Sequence, residues 1–195
     1  MRFSAAAILA MLATAHSAAA EMTALERQRL VAHLEMSASW LLDEVSGLST
    51  AQIGFRPAPG SWSIMEVVDH LVVVGPIYWQ DLQAAVKAPP EGRLGTNSDA
   101  DILWYGIDRT AREQAIPTEL PKGQATTLAA ALDAYRRAHA RLLEYARTTQ
   151  DDLRGRFVRR QGSDAYQWAL LISTHEQRHI LQIREIKRHP KFPRR

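Results

Sequence analysis

His175 and His179, in the run His175-Glu176-Gln177-Arg178-His179, stand one helical turn apart, and His70 lies on an earlier amphipathic segment. On a helix, side chains at i and i+4 share a face with Cβ atoms roughly 5–6 Å apart, so two imidazoles can reach one ion at about 2.0–2.1 Å each. The third nitrogen must then come from another helix. Three protein ligands with an open fourth position are the pattern of a catalytic rather than a structural zinc site, and an all-imidazole set also suits nickel, iron or copper. The expected cofactor is therefore one divalent metal ion, with zinc or nickel foremost and iron as an alternative.

Two carboxylates neighbour these ligands. Asp69 precedes His70 and Glu176 follows His175, so either could orient an imidazole or take a proton from bound water, although solvated helix carboxylates are the commoner outcome. His139 sits on an apolar stripe, where a hydrogen-bonded core histidine is the usual reading and a pocket-lining residue the alternative. His16, His33 and His189 are given no role. The run 175–179 also matches the zincin pattern H-E-x-x-H, with Glu176 as general base. Against a zinc protease stand the charged Arg178, the sixteen residues left after His179, no strand-rich upper half, and Glu185 too near to serve as a downstream ligand.

Four segments carry the helical period that such a site requires. The first runs from about Thr23, paired with Glu26 in a capping box, to Leu48, with Leu30, Leu34, Leu41 and Val45 on one stripe. The second starts at Ser63 with Glu66 completing a box, and Pro76 predicts a kink or an early end. The third opens near Gly123 and repeats at Leu128, Leu132, Tyr135, His139, Leu142 and Ala146. The fourth is capped by Ser163 or Asp164, repeats at Trp168, Ile172, His175, His179, Ile183 and Ile186, and stops before Pro190. With strand signals weak throughout, the fold class is all-α: an antiparallel four-helix bundle with a long connection between the second and third helices. That connection, from Ala88-Pro89-Pro90 to Gly123, should hold one short helix capped by Ser98 or Asp99 and anchored by Ile102, Leu103, Trp104 and Ile107. Trp104, Tyr105, Asp108 and Arg109 are candidates for a substrate lid, or the aromatics simply plug the end of the bundle. Trp62 reads as a core anchor.

Met1-Arg2, the small apolar run Phe3 to Ala15 and His16-Ser17-Ala18-Ala19-Ala20 have the layout of a secretory signal cut after Ala20. The apolar run is well short of the roughly 20 residues that span a bilayer. The expectation is a leader over 1–20 and one domain over 21–195, periplasmic or secreted, with no membrane attachment after cleavage. The chain has no cysteine, hence no disulfide, thiolate ligand or lipidated cysteine. The formal charge of +3, reduced by one when Arg2 leaves, and a basic tail from Lys187 to Arg195 do not describe a nucleic-acid binder.

The stretch Phe55-Arg56-Pro57-Ala58-Pro59-Gly60-Ser61-Trp62-Ser63-Ile64, leading to Glu66 and His70-Leu71, resembles the start of the second helix in the DinB-like metal-binding four-helix-bundle superfamily. The run from Gln167-Trp168 through His175-Glu176-Gln177-Arg178-His179 to Gln182-Ile183 and Phe192-Pro193 resembles its last helix. The resemblance implies one divalent metal on His70, His175 and His179, completed by water. It implies activity as a metal-dependent hydrolase or a thiol-dependent transferase or isomerase on a small-molecule substrate, and permits a homodimer. A non-catalytic metal-binding or stress-response bundle is the other class of function that the residues allow.

Overall fold

The computed structural model describes residues 21–90 and 96–194; the leader expected over 1–20 lies outside them. Four long helices make the bundle: α1 (Ala24–Val45), α3 (Ile64–Lys87), α5 (Leu128–Thr148) and α6 (Ala165–Lys187), with the short α2 (Thr50–Gly54) and α4 (Asp99–Ile107) between them. A single 3-10 turn (Pro117–Glu119) and a two-residue antiparallel hairpin, β1 (Phe157–Val158) with β2 (Ser163–Asp164), complete the elements.

The helix starts are set by local chemistry. Thr23 with Glu26, Ser63 with Glu66, Ser98 with Asp101 and Asp164 with Gln167 form reciprocal capping boxes, each satisfying two amides that the first turn leaves without partners. Ser49 with Gln52 makes the same box on α2, a helix the apolar periodicity did not mark because it is a single turn. The third bundle helix begins at Leu128 behind the cap Thr127, later than the expected start at Gly123. Gly123 (φ +62°) belongs instead to a turn whose backbone amides are consumed by a side chain of α3. Pro76 neither stops nor shortens α3, which continues to Lys87. The segment is held on both sides of the proline by core packing: Val72, Val74, Tyr78 and Leu82 are all buried, and Gly75 lies 3.5 Å, measured from its ideal Cβ position, from Ala138 of α5.

Helix directions depend on the long connection. Tyr166 donates to the Glu26 carbonyl at one end and Lys187 pairs with Glu44 at the other, so α1 and α6 run the same way. Arg27 of α1 donates to the carbonyls of Ala146 and Arg147, at the far end of α5, so that pair is antiparallel. Tyr78 against Trp168 and His70 against His175 make α3 and α6 antiparallel, while Gly75 beside Ala138 and Trp79 against Tyr145 make α3 and α5 parallel. Two parallel neighbours in one bundle require a crossover. It is built from α4, which climbs along α6 from Asp99, tied to Arg154, to Arg109, tied to Glu185.

Covering by α4 explains why every residue from Ala165 to Ile180 is buried, polar ones included. The face of α4 turned inward is Ile102 and Gly106, whereas Leu103, Trp104 and Ile107 are 36%, 61% and 56% exposed. Of the expected anchors Ile102 is buried and Leu103, Trp104 and Ile107 are not: α4 lies so close to α6 that the rest of the contact stripe falls on the glycine. At the base, Arg154 joins Glu26 of α1, Asp99 of α4 and the α6 cap Asp164, over the face of Tyr166. Burial opposes its charge, but the three carboxylates outweigh it and raise its pKa. No helix of the described residues is long and apolar enough to cross a membrane.

The closest point of the crossover is a quantitative test. A methyl group on Gly106 would meet Gln177 Oε1 at 2.7 Å and the Thr174 carbonyl at 3.0 Å. Gly106→Ala should therefore cost about 1–3 kcal/mol by overpacking, and lower Tm by about 2–4 °C for each kcal/mol. An unchanged Tm in calorimetry would mean that α4 is not clamped to α6.

Candidate metal centre

His70 comes from α3, three residues after Val67 on the buried stripe, and His175 and His179 come from successive turns of α6. Because α3 and α6 are antiparallel neighbours, the three rings converge. His175 Nε2 lies 3.3 Å from His70 Nε2 and 3.1 Å from His179 Nε2, and all three ligand atoms fall within 4.8 Å of one another. All three residues are buried.

The outer nitrogens decide what the inner ones can do. His70 Nδ1 lies 2.6 Å from the Glu119 carbonyl oxygen and donates to it, which leaves Nε2 as a bare acceptor. His179 Nδ1 donates to Gln182 Oε1 at 2.9 Å with the same result. Burial pushes the pKa of His70 down. It pushes His175 well down, assisted by the other two imidazoles, and His179 down to about 3. All three are therefore neutral at physiological pH, with their Nε2 atoms gathered around a common point. His175 has one hydrogen at most to share between two acceptors, so the cluster cannot satisfy itself.

A divalent cation resolves this arrangement. Bonds of 2.0–2.1 Å at tetrahedral angles put donor atoms roughly 3.3–3.4 Å apart, close to the two short separations observed. Neutral imidazoles, two of them held by hydrogen bonds from their outer nitrogens, are the donor set that zinc, nickel or iron accepts. Trp62 lies over the cluster, 5.0 Å from His70 and stacked 6.2 Å from His179, and Tyr78 lies 5.4 Å from His175. Trp62 packs on the core, as expected, but its neighbours there are the imidazoles.

The remaining sequence candidates sit elsewhere. Glu176 accepts from Ser37 Oγ of α1 at 2.5 Å and meets His139 Nδ1 of α5 at 3.2 Å, so its oxygens are engaged by the two helices that supply no histidine to the cluster. A zincin base would need that carboxylate on the histidine side. His139 is the hydrogen-bonded core histidine of the two readings, touching Glu176 and Tyr135; burial works against its protonation, but Glu176 outweighs it and the pKa is raised. Asp69 accepts the amides of Lys122, Gly123 and Gln124 at 2.6, 2.7 and 3.0 Å. It thereby pins the turn that follows Glu119, the residue whose carbonyl orients His70. Its hydrogen bonds reach the imidazole only through the loop, while its charge acts on His70 directly and partly offsets the lowering by burial.

Trp104 is exposed on α4, and Arg109 forms a two-pronged pair with Glu185. Tyr105 lies under the Arg178 guanidinium at 4.9 Å, with burial pushing its phenol up to about 12. Arg178 itself is buried and donates to the carbonyls of Tyr105, Asp108 and Ala111, closing the open end of α4. Sequence reasoning missed the orienting partners. Gln182 carried a signal, three residues past His179 on the same helix, but a backbone carbonyl such as that of Glu119 carries none.

A four-helix bundle with a buried three-histidine cluster between antiparallel helices is the class that fold and site define. The chain belongs to the DinB superfamily, whose family model matches residues 25–183. Among solved structures it is similar to YfiT from Bacillus subtilis, described as a probable metal-dependent hydrolase with an unusual four-helix bundle topology. That similarity has a TM-score of 0.60 at 18% identity, covering 88% of this chain and 91% of that one. A comparison with curated proteins found no match.

Depressed imidazole pKa values have a definite consequence for chelator-treated protein. Below about pH 6.5 the unfolded chain takes up protons that the folded cluster refuses, so stability is full above that value and falls as pH drops. The loss should approach about 1.4 kcal/mol per pH unit for each imidazole kept neutral. Urea midpoints between pH 7 and 5 should fall steeply for the parent and less steeply for His175→Ala; equal slopes would show that the cluster is not held neutral.

Proposed function

We propose that this protein is an exported, metal-dependent enzyme, a hydrolase or thiol-dependent transferase, acting on a small substrate at His70, His175 and His179. The observation that carries the reading is the convergence of three Nε2 atoms from α3 and α6, two of them with their outer nitrogens donating to oxygen acceptors. When bound, a divalent ion would supply Lewis acidity, polarising a substrate oxygen or lowering the pKa of a water or thiol. The chain's own part is positional. Glu119 and Gln182 fix the tautomers, Asp69 holds the loop that presents the Glu119 carbonyl, and Trp62 shields one side of the cluster. Zinc and nickel are the ions the donor set favours, with iron next. The leader composition supports export, and the family resemblance permits a homodimer.

A zinc protease is the weaker reading because Glu176 is committed to Ser37 and His139. Purified without chelator from the periplasmic fraction, with its mass beginning at Glu21, the protein should hold about one ion per chain. His70→Ala and His175→Ala should hold little. Turnover of an ester, amide, phosphoester or thiol-transfer substrate should disappear with the ion. Full metal content in both variants would overturn the site, and a loaded protein inert to the whole panel would favour the non-catalytic bundle.

A further inference from the structure

A cavity lies between α1, α4 and α6. It has a volume of about 290 Å³ and is walled by Trp40 of α1, Leu103 and Ile107 of α4, and Ile180 of α6. That volume is at the small end of the range for small-molecule sites. Two polar groups in its lining have no protein partner. His33 Nδ1 is buried without a hydrogen bond, and Gln177, which is 7% exposed, makes no side-chain hydrogen bond among the described residues. Burying an imidazole nitrogen without a partner is costly, and an amide in a cavity wall that bonds to no other residue ordinarily meets a ligand or water.

The wall is close to electrically neutral. Arg184, the one charged residue of the lining, reaches over Trp40 at 5.7 Å but is paired with Glu44 at 2.6 Å. The apolar residues do not close the cavity: Trp40, Leu103 and Ile107 remain 41%, 36% and 56% exposed. These are large apolar groups left in water around an opening, with hydrogen-bonding groups behind them.

We infer that this cavity is a binding site for a small, uncharged molecule with an apolar, ring-sized body and one hydrogen-bonding head, such as a hydroxyl or an amide. The body lies between Trp40, Leu103 and Ile107, and the head meets the Gln177 amide, with the His33 ring in the wall beside it. The site is separate from the histidine cluster and does not rest on the metal reading. Gln177 sits between His175 and His179 in sequence, but two residues along a helix turn its side chain to the face that meets α1 and α4.

The test is a titration of the metal-loaded protein with 1-naphthol, followed by NMR of the Gln177 side-chain amide and the His33 imidazole. Naphthalene-1-sulfonate, the charged counterpart, is run in parallel. Saturable shifts at both groups with one naphthol per chain are expected, weakened about two- to tenfold in Gln177→Leu. They should be abolished in Leu103→Trp, which fills the cavity while a parent-like circular dichroism spectrum and a cooperative thermal transition show that it is folded. His70→Ala should still bind. The inference is overturned if neither group shifts, if the sulfonate binds more tightly than naphthol, or if Leu103→Trp binds like the parent.

Discussion

Three neutral imidazoles share one small buried volume, and most of the architecture follows from making that tolerable. His70 and His179 each bring a lone pair toward His175 in a medium that screens poorly, and the one hydrogen His175 can offer does not satisfy both, an imbalance that a cation at the centre would remove. The protein supports it from outside. A backbone carbonyl fixes one ring and a glutamine fixes another, and both hold the outer nitrogen as a donor so that the inner one remains an acceptor. Antiparallel packing of α3 on α6 supplies the approach, and the i, i+4 spacing on α6 supplies two ligands from one rigid element, a more exact placement than loops provide.

The crossover serves the same end. Because α5 must run parallel to α3, the chain has to travel the length of the bundle between them, and it does so as α4 laid along the outside of α6. The return passes over the histidine end and is fastened at two points: Arg178 takes three carbonyls around the end of α4, and Asp69 takes three amides ahead of α5. Between those points lies Glu119. The connection is thereby both the topological link and the source of the hydrogen bond that orients His70. Both fasteners neighbour a ligand in sequence, so the helices that present the imidazoles also hold the segment that covers them.

Much of this was legible in the residues. The four apolar stripes, the capping boxes at Thr23 and Ser63, and the three-histidine set all follow from periodicity and spacing, whereas the cap of the last helix is narrowed only to Ser163 or Asp164. What was not legible depends on contacts between distant segments. Nothing local in α4 distinguishes Ile102 and Gly106 as its buried face from Leu103 and Ile107, because the choice was made by the tight approach to α6. Pro76 reads as a kink or an early end, yet the helix continues past it to Lys87. Asp69 and Glu176 illustrate the same limit. Adjacency to a ligand along a helix turns a side chain about 100° away from it, and each carboxylate found its partners on another element.

The most direct measurement is a crystal structure of protein prepared without chelator, with anomalous data collected on both sides of the absorption edge of the bound metal. The account predicts a single anomalous peak per chain, about 2.0–2.1 Å from the Nε2 atoms of His70, His175 and His179. A peak coordinated through Nδ1, a metal bound by other residues, or three imidazoles found protonated and splayed apart at neutral pH would contradict it.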